Sequence, residues 1–132
     1  MTTLHTLSSG SSGNALVLSC GESHLLLDAG ISCRRITAAL AELGLAPADL
    51  TAVLITHTHA DHIAGLQTLL KRTDVPVLAS ARTARDLTWR LPEAGGRCVP
   101  LDMGVPRPVG EVTVTPFPTS HDAPGSCGFR LD

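Results

Sequence analysis

Hydrophobic residues fall into short clusters along the chain, and most of these clusters have the length and the alternation of β-strands. Gly, Pro, Ser or Asn residues bound most of the clusters, as is typical of strand ends. The predicted strands are 4–7, 15–19, 24–28, 52–56, 75–79, 112–117 and 128–131. The turn Cys20-Gly21-Glu22-Ser23 lies between the second and third of them and predicts a hairpin.

Apolar residues spaced by three or four predict helices between several of these strands. The two clearest sets are Ile36, Leu40, Leu43 and Ile63, Leu66, Leu69, Leu70. Ser32 is placed to cap the first helix and Gly44 to end it. The second set predicts one continuous apolar helix face after strand 52–56. Ser80 is placed to cap a further helix.

The segment 91–110 is rich in Pro and Gly and is predicted to be mostly loop. Because strands and helices alternate after residue 24, we expect an α/β (α+β) fold with a mixed sheet and helices packed on it. The length of 132 residues predicts a single domain over 1–132.

Composition narrows the class of protein. Hydrophobic residues make up 43% of the chain and charged residues 17%, which is typical of a globular domain. A net charge of -2 gives no global attraction to nucleic acid or to an anionic membrane. The apolar runs are far shorter than the roughly 20 residues of a membrane helix. The four cysteines form no Cys-x-x-Cys pair, which favours reduced thiols and a cytoplasmic protein over a disulfide or a structural zinc site.

One cluster carries the chemistry: His57-Thr58-His59-Ala60-Asp61-His62, directly after strand 52–56. Imidazole and carboxylate groups suit Zn, Mn or Fe ions. On an extended segment His57 and His59 point to the same side, so both can bind one ion. A helix beginning near Asp61 should turn Asp61 and His62 in another direction, which offers ligands to an adjacent second ion. The alternative is a polar loop with solvated histidines.

The motif His-x-His-x-Asp-His after a hydrophobic strand resembles the metal-binding motif of the metallo-β-lactamase superfamily. Leu27-Asp28-Ala29-Gly30 resembles the family's upstream Asp-x-Gly element. Two more stretches, Ser8-Ser9-Gly10-Ser11-Ser12-Gly13-Asn14 and Ser120-His121-Asp122-Ala123, resemble the YycJ/WalJ-type branch, bacterial proteins related to metal-dependent nucleases.

The resemblance implies roles for individual residues. The first ion would be held by His57, His59 and His121, and the second by Asp61 and His62, which would also be the catalytic pair. Asp28 would accept a hydrogen bond from a ligand histidine and orient it.

Other polar residues keep two interpretations. Asp122 is either a partner of a ligand or a solvated loop residue. The loop residues Ser11, Ser12, Gly13 and Asn14 either contact a phosphate through backbone N–H groups or merely join two strands. His5 and His24 lie in predicted strands and are expected not to be ligands.

The family fold is a four-layer αββα sandwich, of which this chain would form the amino-terminal half, with a mixed β-sheet and helices on one face. The family's bridging carboxylate and final histidine lie in the other half, and no residue here matches them. We therefore expect a fragment of a longer protein, with an uncovered apolar sheet face through which it can self-associate.

The function implied is that of a metal-dependent hydrolase with two divalent ions (Zn, or Mn/Fe). Such ions can lower the pKa of a bound water to about 7 and so supply a metal-bound hydroxide. The YycJ/WalJ-type branch is associated with 5′-to-3′ exonuclease action on DNA, so DNA or another phosphodiester is the expected substrate. The alternatives are a thioester or lactone hydrolase of the same fold, or a non-catalytic metal-binding fragment.

Overall fold

The computed structural model describes residues 2–10, 13–119 and 125–132. In these residues the strands are β1 (Thr2–Ser8), β2 (Ala15–Cys20), β3 (Ser23–Leu27), β4 (Ala52–Leu54), β5 (Val77–Ser80), β6 (Cys98–Leu101), β7 (Arg107–Val109), β8 (Val112–Pro118) and β9 (Cys127–Leu131). The α-helices are α1 (Cys33–Glu42), α2 (Ala60–Ile63), α3 (Leu66–Arg72) and α4 (Ala81–Arg90). Short 3-10 helices span Pro47–Asp49 and Pro92–Ala94.

The strands form two sheets. Strands β1 to β6 lie side by side in chain order in a six-stranded sheet, and β7, β8 and β9 form a second sheet of three strands. The pairs β1–β2 and β2–β3 are antiparallel, whereas β3, β4, β5 and β6 run parallel. Parallel neighbours need long crossover connections, which α1, α2–α3 and α4 provide. The predicted mixed α/β architecture is confirmed.

Central strands are buried on both faces of the six-stranded sheet. Alternate residues such as Leu26, Val53 and Val77 pack into a core with the helices. Their neighbours Leu25 and Leu54 pack into a second core on the opposite face. Burial on both sides explains why these strands are continuous apolar runs instead of alternating patterns.

The second sheet supplies that opposite core. Val109, Val112 and Val114 are buried against the six-stranded sheet. Helices do cover one face, as predicted, but the other face is not uncovered: β7, β8 and β9 pack on it. The apolar sheet face through which self-association was expected is therefore largely buried within the chain itself. The outward residues Thr113 and Thr115 of β8 are small and polar, and Phe117, next in the same alternation, is an exposed aromatic residue.

The structure differs from two further predictions about local structure. Within the segment 91–110, predicted as mostly loop, seven of the twenty residues form the strands β6 and β7, which the sequence pattern did not predict. Both are edge strands, and edge strands tolerate proline because one side of the strand needs no hydrogen-bond donor. The helix after β4 is not continuous either, since Gly65 separates α2 from α3. A Cβ at Gly65 would overlap the carbonyl oxygen of Ile31, so the chain passes too closely there for any other residue.

The predicted helix caps are confirmed. Ser32 accepts a hydrogen bond from the N–H of Arg35, and Ser80 accepts one from the N–H of Thr83. Gly44, with a φ of 77°, follows the end of α1 in the left-handed conformation that glycine favours. Among the helices of the described residues, none is long and apolar enough to cross a membrane.

Candidate metal centre

The histidine cluster begins where the central parallel strand β4 ends. Ile55 continues the ladder by donating its N–H to the carbonyl of Leu78, and the carbonyl of Thr56 accepts from Cys127. The chain then stays extended to His59, which has a φ of −64° and a ψ of 147° and precedes the first residue of α2. His57 and His59 thus project from extended backbone, and Asp61 and His62 from a helical turn.

Three predicted ligands converge. Ligand atoms of His57, His59 and Asp61 all lie within 4.8 Å of one another. Two ligand atoms of one tetrahedral zinc ion are about 3.4 Å apart, so small side-chain rotations would bring these atoms to one ion or to two adjacent ions. His57 is buried and His59 is exposed, which places the group at the protein surface. The donor types and their spacing indicate binding of a divalent metal ion.

His62 lies beside this group. Its ring centroid is 3.8 Å from that of His57, and its Nε2 is 3.4 Å from Oδ2 of Asp61. The Asp61 carboxylate is therefore close to His62 as well as to the pair His57 and His59. We expected the helix to turn Asp61 away from that pair, but α2 begins at Ala60 and its first turn keeps the carboxylate within reach of both sides.

Asp28 and Thr56 form hydrogen bonds with the rings of His62 and His57. The Nδ1–H of His62 donates to Oδ2 of Asp28 over 2.7 Å. Asp28 also accepts from the N–H and the hydroxyl of Thr56. The Thr56 oxygen in turn lies 2.9 Å from Nδ1 of His57. The Asp28 carboxylate, 9% exposed, is therefore fully engaged in holding this corner of the site.

Asp28 has a φ of 60°, the only positive φ of a non-glycine residue among the described residues. Such a conformation costs of order 1–3 kcal/mol and persists where the surroundings enforce it. Here the Asp28 N–H donates to Leu54, and Ala29 donates to the carbonyl of His62. These bonds tie the end of β3 to β4 and to α2, which places the carboxylate under His62.

The surroundings change the pKa of His62. Burial lowers the pKa of its imidazole, but the hydrogen bond and the negative charge of Asp28, with the charge of Asp61, raise it by more. The net result is a pKa above the ordinary 6.5 in the metal-free protein. A raised pKa fits an imidazole whose Nδ1–H is held by a carboxylate, an arrangement common around metal-binding histidines.

The Ser/Gly loop packs against the cluster. Asn14 donates its backbone N–H to the carbonyl of Asp61, and its own carbonyl accepts from Gly30. The Asn14 side chain reaches the carboxylate of Asp61 and Nε2 of His62. A Cβ at Gly13 would lie 2.6 Å from the carbonyl oxygen of Gly30, so this position requires glycine. Ser11 and Ser12 lie outside the described residues.

His121 and Asp122 lie outside the described residues. His5 is exposed on β1, and His24 pairs with the hydroxyl of Ser19 at 2.7 Å. All four cysteines are free thiols.

Sequence patterns missed the role of Thr56 and the contacts of Asn14 with the cluster. Thr56 is a polar residue at the end of an apolar strand and directly before His57, and that position was the available signal. Asn14 gave no such signal, because it lies far from the cluster along the chain.

Comparison with known proteins identifies the family. A model of the metallo-beta-lactamase superfamily matches residues 9–130. The chain therefore belongs to the metallo-β-lactamase superfamily, as its motif and fold predicted. The Rm3 metallo-beta-lactamase is similar in structure, with a TM-score of 0.80 and 26% sequence identity, over 97% of this chain and 53% of that protein.

Two bacterial relatives are similar in sequence over most of the chain. The exodeoxyribonuclease WalJ of Streptococcus pneumoniae serotype 2 (strain D39 / NCTC 7466) is 37% identical over 95% of this chain and 48% of its own length. The exodeoxyribonuclease YycJ of Bacillus anthracis is 36% identical over 89% of this chain and 45% of its own length. These matches confirm the resemblance to the YycJ/WalJ-type branch. The chain spans about half the length of both relatives.

Proposed function

We propose that the protein takes part in metal-dependent hydrolysis of phosphodiesters, with DNA as the substrate. The convergence of His57, His59 and Asp61 within 4.8 Å, beside His62, is the observation that carries this proposal. The exodeoxyribonuclease relatives support the choice of DNA. The free thiols support a reducing compartment, the cytoplasm.

The residues divide into two groups in this proposal. His57 and His59, joined by His121, hold a first divalent ion, and Asp61 and His62 hold a second and form the catalytic pair. Zn, Mn and Fe all suit these ligands. Divalent ions at such a site lower the pKa of water and neutralise charge that develops on a phosphodiester.

The protein's own contribution is to orient its ligands. Asp28 takes the Nδ1–H of His62, so Nε2 is the nitrogen turned toward Asp61. Thr56 fixes the position of Asp28 through two donors, its N–H and its hydroxyl. Because Asp28 is buried and held on several sides, the His62 ring has one preferred orientation before any ion binds.

Hydrolysis of a short single-stranded DNA, a thioester and a lactone, each with Mn²⁺ or Zn²⁺, tests the proposal. We expect turnover of the DNA alone, and its loss in His59→Ala. His5→Ala is the matched control, because His5 is an exposed histidine on β1. Faster cleavage of the thioester or lactone would contradict the substrate class, and full activity in His59→Ala would contradict the metal site.

A second candidate is a metal-binding chain that is not catalytic by itself. The specific observation in its favour is that this chain spans only 48% of the WalJ relative. Binding of a divalent ion with no turnover of any of the three substrates would favour this candidate over the first.

A further inference from the structure

The side chain of Asn14 contacts two candidate metal ligands that lie far away in the sequence. Its Nδ2 is 3.2 Å from Oδ2 of Asp61, 3.1 Å from the carbonyl oxygen of Asp61 and 3.3 Å from Nε2 of His62. All three are acceptor atoms when Nδ1 of His62 carries the proton. One amide group therefore faces the carboxylate of Asp61 and the unprotonated ring nitrogen of His62 together.

The orientation of this amide is fixed from the other side. The N–H of Gly10, which can only donate, is 3.1 Å from Oδ1 of Asn14. The Asn14 backbone is held as well, by its own N–H to Asp61 over 2.7 Å and by the N–H of Gly30 to its carbonyl over 2.8 Å. Since the backbone and Oδ1 are both fixed, Nδ2 has to point at Asp61 and His62.

A turn that only joined β1 to β2 would not need these contacts. Local bonds already close the loop: the Ser8 hydroxyl donates to the carbonyl of Gly13, and Asn14 Nδ2 donates to the carbonyl of Gly10. The bonds to Asp61 and His62 span 47 and 48 residues and add nothing to the turn. They join the loop to the short helix α2, whose four residues include both candidate ligands.

We propose that Asn14 is a positioning residue, which holds the carbonyl and the carboxylate of Asp61 beside the His62 imidazole so that Asp61 and His62 can bind one divalent ion. Because Nε2 of His62 has a single lone pair, an ion bound there would replace Asn14 at that nitrogen, while the contacts of Asn14 with Asp61 can remain. The proposal rests on the metal site of the proposed function. It gives Asn14 of the Ser/Gly loop a role different from both interpretations drawn from the sequence, a phosphate contact and a turn that joins two strands. Residues that orient metal ligands typically change metal affinity by about 10–100-fold when they are replaced.

Titration of the metal-free protein with Co²⁺, followed by visible absorption, tests this role because the spectrum reports the ligands of the ion. We expect Asn14→Ala to weaken Co²⁺ binding by about 10–100-fold and to change the shape of the spectrum. Asn14→Ser should do the same. The serine hydroxyl can still accept a hydrogen bond within the loop, but the serine side chain is too short to reach Asp61. Asn14→Ser therefore replaces Asn14→Ala in the test if the alanine variant does not fold.

Two controls separate positioning from folding. Ser8→Ala loosens the same loop without removing a contact to Asp61 or His62. Gln67→Ala removes another amide that donates to a carboxylate, that of Glu93, on a different surface. Both controls should keep wild-type Co²⁺ affinity and spectrum, whatever their effect on urea unfolding.

The outcomes are distinct. A wild-type spectrum and affinity in both Asn14 variants would overturn the role of Asn14 and leave the metal site standing. An equal loss of affinity in Ser8→Ala would also overturn it, because loop order alone would then explain the effect. A wild-type protein that binds no Co²⁺ would overturn the metal site and the positioning role together.

Discussion

Of the glycines, Gly30 leaves the least room for a side chain, and replacing it tests the packing of the site directly. An alanine Cβ at this position would overlap the carbonyl carbon and oxygen of Asp61 and lie 2.6 Å from the backbone nitrogen of Asn14. Real Cβ atoms essentially never approach other atoms closer than 3.0 Å. Since the atoms in the way belong to the backbone, Gly30→Ala must separate three chain segments.

The expected loss of stability follows from the hydrogen bonds that join those segments. Two hydrogen bonds cross the junction, Asn14 N–H to the Asp61 carbonyl and Gly30 N–H to the Asn14 carbonyl. Each contributes about 0.5–1.5 kcal/mol to stability. Overpacking adds about 1–3 kcal/mol. We therefore expect Gly30→Ala to lower the free energy of unfolding by about 4 kcal/mol, a large share of the roughly 5–15 kcal/mol of a typical domain.

Urea unfolding of the metal-free protein, followed by circular dichroism, measures this change. With a slope of about 2 kcal/mol/M, the midpoint should fall by about 2 M. Gly95→Ala is the matched control, because Gly95 also has no positive φ and its Cβ would lie 3.3 Å from one carbonyl oxygen, that of Pro92. A Gly30→Ala protein as stable as Gly95→Ala would refute the close approach of the three segments.

Three other predictions follow from single contacts. The Arg97 guanidinium donates to three backbone carbonyls at and beyond the end of α3. Arg97→Ala should therefore lower the free energy of unfolding in urea by about 2–4 kcal/mol, whereas Arg107→Ala, at an exposed position, should change it negligibly. Equal losses in the two variants would contradict this. Burial raises the pKa of Cys127 to about 11. Its thiol should therefore react with an aromatic disulfide reagent at pH 8 only after the protein is unfolded. Rapid labelling of Cys127 in the folded protein would count against its burial. Because the folded-state pKa of His62 is raised, its protonated ring should stabilise the metal-free protein below about pH 6.5, and this stability should be lost as the pH rises through that pKa. Asp28→Asn should flatten the pH dependence, and an unchanged profile would refute the role of this pair.

Local patterns predicted most of the fold because its elements have strong periodicity. Strand 52–56 and the capped helices at Ser32 and Ser80 were recognisable from residues close together in the chain. Sequence patterns failed to predict the secondary structure where a tertiary contact overrides the local preference of the residues. Pro100 lies in an edge strand, and Gly65 breaks a helix because another segment crosses there.

In the candidate site, too, contacts between residues close in sequence were predictable and contacts between distant residues were not. His57, His59 and Asp61 are close in sequence, so their convergence was predictable from the motif. The contact of Asp28 with His62 was foreseeable only through family resemblance, since it depends on the parallel pairing of β3 with β4. The approach of Asn14 depends on how a loop docks on α2, and no local pattern encodes it.

The central claim is that the histidine cluster binds a divalent metal ion, and metal content per chain tests it most directly. Elemental analysis would follow purification without chelator, for the wild-type protein, His59→Ala and His5→Ala. We predict at least about one Zn, Mn or Fe ion per chain in the wild type and His5→Ala, and a clear loss in His59→Ala. A wild-type protein without metal, or a His59→Ala protein that retains the full amount, would contradict the account.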